Sequence, residues 1–174
     1  MTGDHDHDWE NDKKLVERFE NSLQTNLDLY FEEEELEDII RFYFDQQKFL
    51  KALRAAEFSL ERFPFSVEIK LLQAQCLIFN DELEEGLGIL ENINNISPNN
   101  EEIILALANA HILGGTPQYR VQINNEKASY YFKEAVKSRI NHEDALFQLA
   151  MITEEEGSFD EILDFYQEFI DQDP

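Results

Sequence analysis

Residue types capable of chemistry are present in this chain, but their spacing argues against chemistry. Asp4-His5-Asp6-His7-Asp8 alternates two metal-binding types. Ligands on an unsupported tail lack the outer hydrogen bonds that orient a defined metal site, so the segment reads as solvated. From Asp6 to Glu17 the acids fall faintly like a calcium loop, yet Asn11 stands where the turn glycine is needed and Lys13 where an apolar residue belongs. Glu32-Glu33-Glu34-Glu35 suits the positive end of a helix dipole, which is a sufficient structural reason for it. His111 and His142 are 142 − 111 = 31 positions apart, and neither has a patterned Ser or Cys partner. The single cysteine, Cys76, lies in an apolar stripe and reads as a buried, inert thiol; no intrachain disulfide can form. G-x-S-x-G, phosphate-loop, H-E-x-x-H and C-x-x-C patterns are missing. A non-enzyme is expected, with no catalytic residue, no metal site and no cofactor.

Charge narrows the partners. The net charge is −24 and the pI about 4.3. Lys70 is the only base between Phe63 and Tyr119, and none follows Arg139. Nucleic acid and anionic membranes need a cationic face, so both are poor candidates. A basic or amphipathic peptide fits better. The N-terminus lacks the basic and apolar regions of a secretory signal, and no apolar run reaches the ~20 residues of a membrane span. A cytoplasmic protein is expected.

Those residues must be held by helices. Gly is 6 and Pro is 4, too few for a turn-rich β chain. Residues 1–11 are expected to be a flexible acidic N-terminus. Residues 12–31 form a helix and its connection, with Leu15, Phe19 and Leu23 on one face. The chain then repeats. Pro64 and Pro98 are 98 − 64 = 34 residues apart, and each closes two helical segments joined by a turn. Leu36, Ile39, Ile40 and Tyr43 share a face in the first pair; Ala74, Leu77, Leu90 and Ile93 belong to the second. The repeats span about 33–66, 67–100, 101–142 and 143–174.

A two-helix period of 34 residues resembles the tetratricopeptide (TPR) family across roughly residues 33–174. Its position 8 is small at Ala74, Ala108 and Ala150, and position 20 at Ala52, Gly86 and Ala128. Position 24 is aromatic at Phe132 and Tyr166, position 27 is Ala135, and position 32 is Pro64, Pro98 and Pro174. Ile40 at position 8, Ile162 at position 20 and Ile140 in place of the third proline depart from the pattern. The third repeat is longer: Ala128 falls 128 − 120 = 8 residues late, through an inserted loop at 114–125. That loop, followed by "EKASYYFKEA", looks similar to the Sel1-like branch. It reads as a tolerated insertion, with a contact element carrying Tyr119 and Arg120 as the sharper alternative.

The resemblance implies an all-α fold, a right-handed α-solenoid of stacked helix–turn–helix repeats. It also implies that positions 2, 5, 9, 12 and 13 of each first helix line a concave groove. Here the expected partner-binding residues are Phe44, Leu71, Gln75, Ile78, Phe79, Leu105, Asn109, Ile112, Leu113, Phe147 and Met151. The groove would be apolar in its middle and acidic at Glu154 and Glu155. One TPR subgroup clamps a peptide carboxylate with Lys, Asn and Arg; only Asn109 and Arg41 resemble that set, with Gln75 where a second Asn would stand. The implied role is a scaffold for a protein or peptide of apolar and basic character. A self-assembly module, or the front of a longer array, is the alternative. Whether the N-terminal helix covers the groove stays open.

Overall fold

The computed structural model describes residues 4–25, 29–113, 125–138, 142–156, 160 and 163–167. Its helices are α1 (Asp4–Thr25), α2 (Glu33–Asp45), α3 (Phe49–Arg62), α4 (Val67–Phe79), α5 (Leu83–Ile96), α6 (Glu101–Leu113), α7 (Asn125–Ser138) and α8 (His142–Glu156). Residues 163–167 are also helical, and no strand occurs among the described residues. Helix α1 begins at Asp4, inside the segment expected to be a flexible tail. An acidic run is favourable where a helix starts, a contribution that hydrophobic periodicity does not register. The loop expected at 114–125, with Tyr119 and Arg120, lies outside the described residues apart from Asn125, which opens α7.

The stretch Arg62-Phe63-Pro64-Phe65-Ser66 shows how a joint is built. Helix α3 stops at Arg62, and the Phe63 N–H donates to the Ser59 carbonyl at 2.8 Å. Pro64 follows, where no helical N–H is required. Ser66 then caps α4, its side chain accepting from the Ile69 N–H at 3.1 Å. Asn100 does the same for α6, accepting from the N–H groups of Glu102 and Ile103 at 3.0 and 3.2 Å. The two caps are 100 − 66 = 34 residues apart. Each is worth about 1 kcal/mol.

The turns inside the helix pairs repeat with the same period. Gln47 (φ 56°) and Asp81 (φ 69°) both adopt the left-handed conformation, and 81 − 47 = 34. Lys48 N–H donates to Tyr43 O, and Gln47 N–H to Phe44 O. Glu82 N–H donates to Leu77 O, and Asp81 N–H to Ile78 O, which is the same pair of bonds one period later. Both are Schellman closures carried by a non-glycine residue.

The chain divides into two compact units, Met1–Ile89 and Leu90–Pro174. In the N-terminal unit α2 packs on α3 and α4, and α3 packs on α4. Ala52, Ala55, Ala56 and Ser59 give α3 a fully buried face of small side chains, so its neighbours approach closely. Gly86 does the same for α5: a Cβ there would stand 2.6 Å from Ile78 Cγ1 and 2.8 Å from the Ala74 carbonyl oxygen. Helix α1 packs on α2. Its buried Val16 and Phe19 join Phe31, and Phe19 meets Phe31 and Phe58 edge-on at 5.8 and 5.1 Å. Two polar clasps hold it. Arg18 donates to both Glu35 carboxylate oxygens at 3.1 and 2.8 Å, and Glu20 accepts from Tyr43 at 2.8 Å and from Lys51 at 2.6 Å.

In the C-terminal unit α7 packs on α6 and α8. Ala108, Ala128, Phe132, Ala135, Val136, Ala145, Leu149 and Ile152 form its buried core. The small residues Ala108 and Ala128 are both fully buried, Ala108 on α6 and Ala128 on α7.

Candidate partner-binding faces

In the N-terminal unit the structure brings Phe44 and Phe79 together. Phe44 is the next-to-last residue of α2 and Phe79 ends α4, and their rings meet edge-on at 5.3 Å. Phe49, the first residue of α3, completes the cluster: it stacks on Phe79 at 5.6 Å and meets Phe44 at 5.5 Å. Phe79 remains 51% exposed, and the neighbouring Leu50 is 62% exposed. Gln75, one turn earlier on α4, is half-buried. Leu71 and Ile78 are buried, so they support this face from beneath. Ile78 is drawn inward because Gly86 leaves room for it. Helix α4 is apolar around its circumference, with Ile69, Leu71, Leu72, Cys76, Leu77 and Ile78 all buried.

Helix α1 has its described polar and aromatic partners elsewhere, at Tyr30, Phe31, Glu35, Tyr43, Lys51 and Phe58. Leu23, expected on its apolar stripe, is 49% exposed; Val16 takes the buried place. Arg41, which resembles one member of the carboxylate-clamping set, pairs with Glu37 on the preceding turn at 3.5 Å.

In the C-terminal unit Leu105, Ile112 and Leu113 on α6 are half-buried, and Asn109 is exposed. Leu105 and Ile112 pack against the unit's core. Phe147 and Met151, one turn apart on α8, are 63% and 45% exposed. Glu154 is exposed on the same helix. The Glu155 side chain lies outside the described residues.

Protonation follows burial and local hydrogen bonds. Burial pushes the Cys76 thiol up to about 12, which keeps it protonated and unreactive. Hydrogen bonds from Lys51 and Tyr43 hold Glu20 below the ordinary carboxylate value. Glu37 is shifted up by burial, which outweighs Arg41. No group of His, Cys, Asp or Glu among the described residues could hold a metal ion. No described helix is long and apolar enough to cross a membrane.

Sequence reasoning missed Phe49. It sits five residues after Phe44 across a turn that helical spacing does not cover, so only the turn geometry places the two rings together.

The class that this fold defines is an all-α solenoid of helix–turn–helix repeats. Among solved structures the fold is similar to that of MamA AMB-1, a TPR-like all-helical protein. One crystal form of MamA matches with a TM-score of 0.61 at 16% identity, over 98% of this chain and 93% of that one. A second form matches with 0.60 at 16% identity, over 93% and 96%. A MamA mutant matches with 0.62 at 16% identity, over 95% and 92%. No protein-family model and no curated protein sequence matches the chain.

Proposed function

We propose that this protein is a non-catalytic interaction scaffold that binds a peptide or amphipathic helix of apolar and basic character. The observation that carries the reading is the exposure of large apolar side chains at the helix positions where TPR repeats meet partners: Phe79 in the N-terminal unit, Phe147 and Met151 in the C-terminal unit. Large contiguous apolar patches are uncommon on monomeric proteins, and where they occur they mark contact sites. Phe44, Gln75, Leu105, Asn109, Ile112 and Leu113 flank them as secondary contacts, while Leu71 and Ile78 act as supports. The net charge of −24 favours a basic partner. An acidic chain whose one cysteine is unpaired suits the reducing cytoplasm. The inserted third-repeat loop, the Sel1-like feature, is a tolerated insertion in this reading.

The test is selection from a random peptide library displayed on phage. Wild type should enrich amphipathic sequences carrying Lys or Arg, and the Phe79→Glu/Phe147→Glu variant should not. Equal enrichment by both, or none by either, would end the proposal. A second reading, association between copies of this chain, draws on the same exposed pair on α8 together with exposed Leu163. It requires a mass that rises with concentration in sedimentation and falls back in Phe147→Glu.

A further inference from the structure

Among the described residues of the C-terminal unit, one histidine is buried with a ring nitrogen left without a partner. His111, on α6, is 7% exposed, and its Nε2 has no hydrogen-bond partner. Buried polar atoms are nearly always satisfied, so an orphan calls for an explanation. The imidazole lies parallel to the Tyr131 ring of α7, with the planes 4° apart and the centroids 5.9 Å apart. The charged groups acting on it come from two other helices. Glu91 on α5 and Lys127 on α7 are bonded to each other at 3.0 Å. Helix α6 offers no other ionisable residue between Ile103 and Leu113. The Tyr131 phenol is pushed up by burial and then by Glu91, so it stays neutral.

This arrangement accepts a neutral imidazole and resists a charged one. An imidazolium would lose its hydration and face the Lys127 ammonium. Glu91, the carboxylate that acts on the ring, is already engaged by that ammonium. Burial and Lys127 accordingly hold His111 below its ordinary value, against the opposing pull of Glu91.

We propose that His111 is an acid-sensitive latch in the C-terminal unit: α6 and α7 close on the neutral ring and loosen when it takes up a proton. The sign follows from the depressed value. Above 6.5, the ordinary value, closed and open states both hold a neutral imidazole. As the pH falls through that value, the open state binds a proton that the closed state refuses, and closure weakens. Two pH units, from about 7.5 to about 5.5, favour opening by at most about tenfold. Asn109 and Ile112 flank His111 on α6, so the latch acts on a face proposed to meet partners. The latch itself stands whether or not that face binds anything.

The test is amide hydrogen exchange on the full chain across this pH range, corrected for the intrinsic pH dependence. Peptides from α2–α3 serve as the internal reference. The α6–α7 peptides of wild type should exchange several-fold faster in acid, and His111→Phe, which keeps the ring stack, should abolish the change. Lys127→Gln should shrink the acid response and Glu91→Gln should enlarge it, changes that a merely structural pair would not produce. An α6–α7 exchange rate indifferent to acid, or an acid response retained in His111→Phe, would overturn the latch.

Discussion

Two glycines on α5 give opposite predictions for the same substitution. Gly86 and Gly88 lie on one helix, and Ala is preferred to Gly in helix interiors by up to ~1 kcal/mol. Around Gly88 nothing lies within 4 Å of a new Cβ, so Gly88→Ala should stabilise by about 0.5–1 kcal/mol. At Gly86 the new Cβ would meet Ile78 Cγ1 at 2.6 Å and the Ala74 carbonyl oxygen at 2.8 Å. The isoleucine contact is with the first atom beyond its branch, so rotation of the side-chain end does not clear it. The carbonyl belongs to the α4 backbone and moves only if α4 moves. Forcing an extra carbon into such a site costs about 1–3 kcal/mol, and a backbone clash belongs at the upper end. After subtracting the propensity gain, Gly86→Ala should destabilise by about 2 kcal/mol. Urea unfolding followed by circular dichroism at 222 nm measures both variants, with the slope checked for constancy. A Gly86→Ala protein as stable as Gly88→Ala would show that the α4–α5 approach does not depend on the missing side chain.

Other expectations follow from single contacts. Gln47 holds a left-handed conformation at φ 56°, so Gln47→Gly should raise stability by about 0.5–1 kcal/mol in the same urea assay. Cys76 is buried with its thiol pushed up to about 12, so it should resist a disulfide reagent at pH 8 in the native protein and react fully after denaturation. Glu20 is held low by Lys51 and Tyr43, so its contribution is present above its ordinary value of 4.5 and is lost as the pH falls below it. Glu20→Gln should therefore speed amide exchange in α1 at neutral pH and erase the difference in acid. The pair with Lys51 is partly exposed, which limits its Coulombic part to under about 1 kcal/mol.

The sequence and the structure agree where local chemistry is strong. Pro64 and Pro98 mark the joints and reveal the 34-residue period. The small residues Ala52, Gly86, Ala108 and Ala128 announce which helices approach closely. The candidate site was less legible. Helices α4 and α6 are apolar on nearly every side, so periodicity does not separate the face that packs from the face that is free. Leu71 and Ile78 therefore looked like their exposed neighbour Phe79, and only packing against Gly86 sets Ile78 apart. The left-handed turns were hidden because Gln47 and Asp81 occupy positions where glycine is the usual signal. Val16 replaces Leu23 in the α1 contact because Phe31 and Phe58, not spacing alone, decide which side of that helix is covered.

The scaffold reading is tested most directly by one comparison of binding constants. A basic amphipathic peptide from the library selection would be titrated into wild type, Phe79→Glu and Phe65→Glu, with equal helicity confirmed. Phe65 is the control: it is 89% exposed, yet it sits in the turn between α3 and α4, away from the positions that TPR repeats use. A buried charge replacing an aromatic anchor should weaken binding at least about tenfold at Phe79, with no change at Phe65. Equal loss at both positions, or full affinity in Phe79→Glu, would contradict the claim that this face receives the partner.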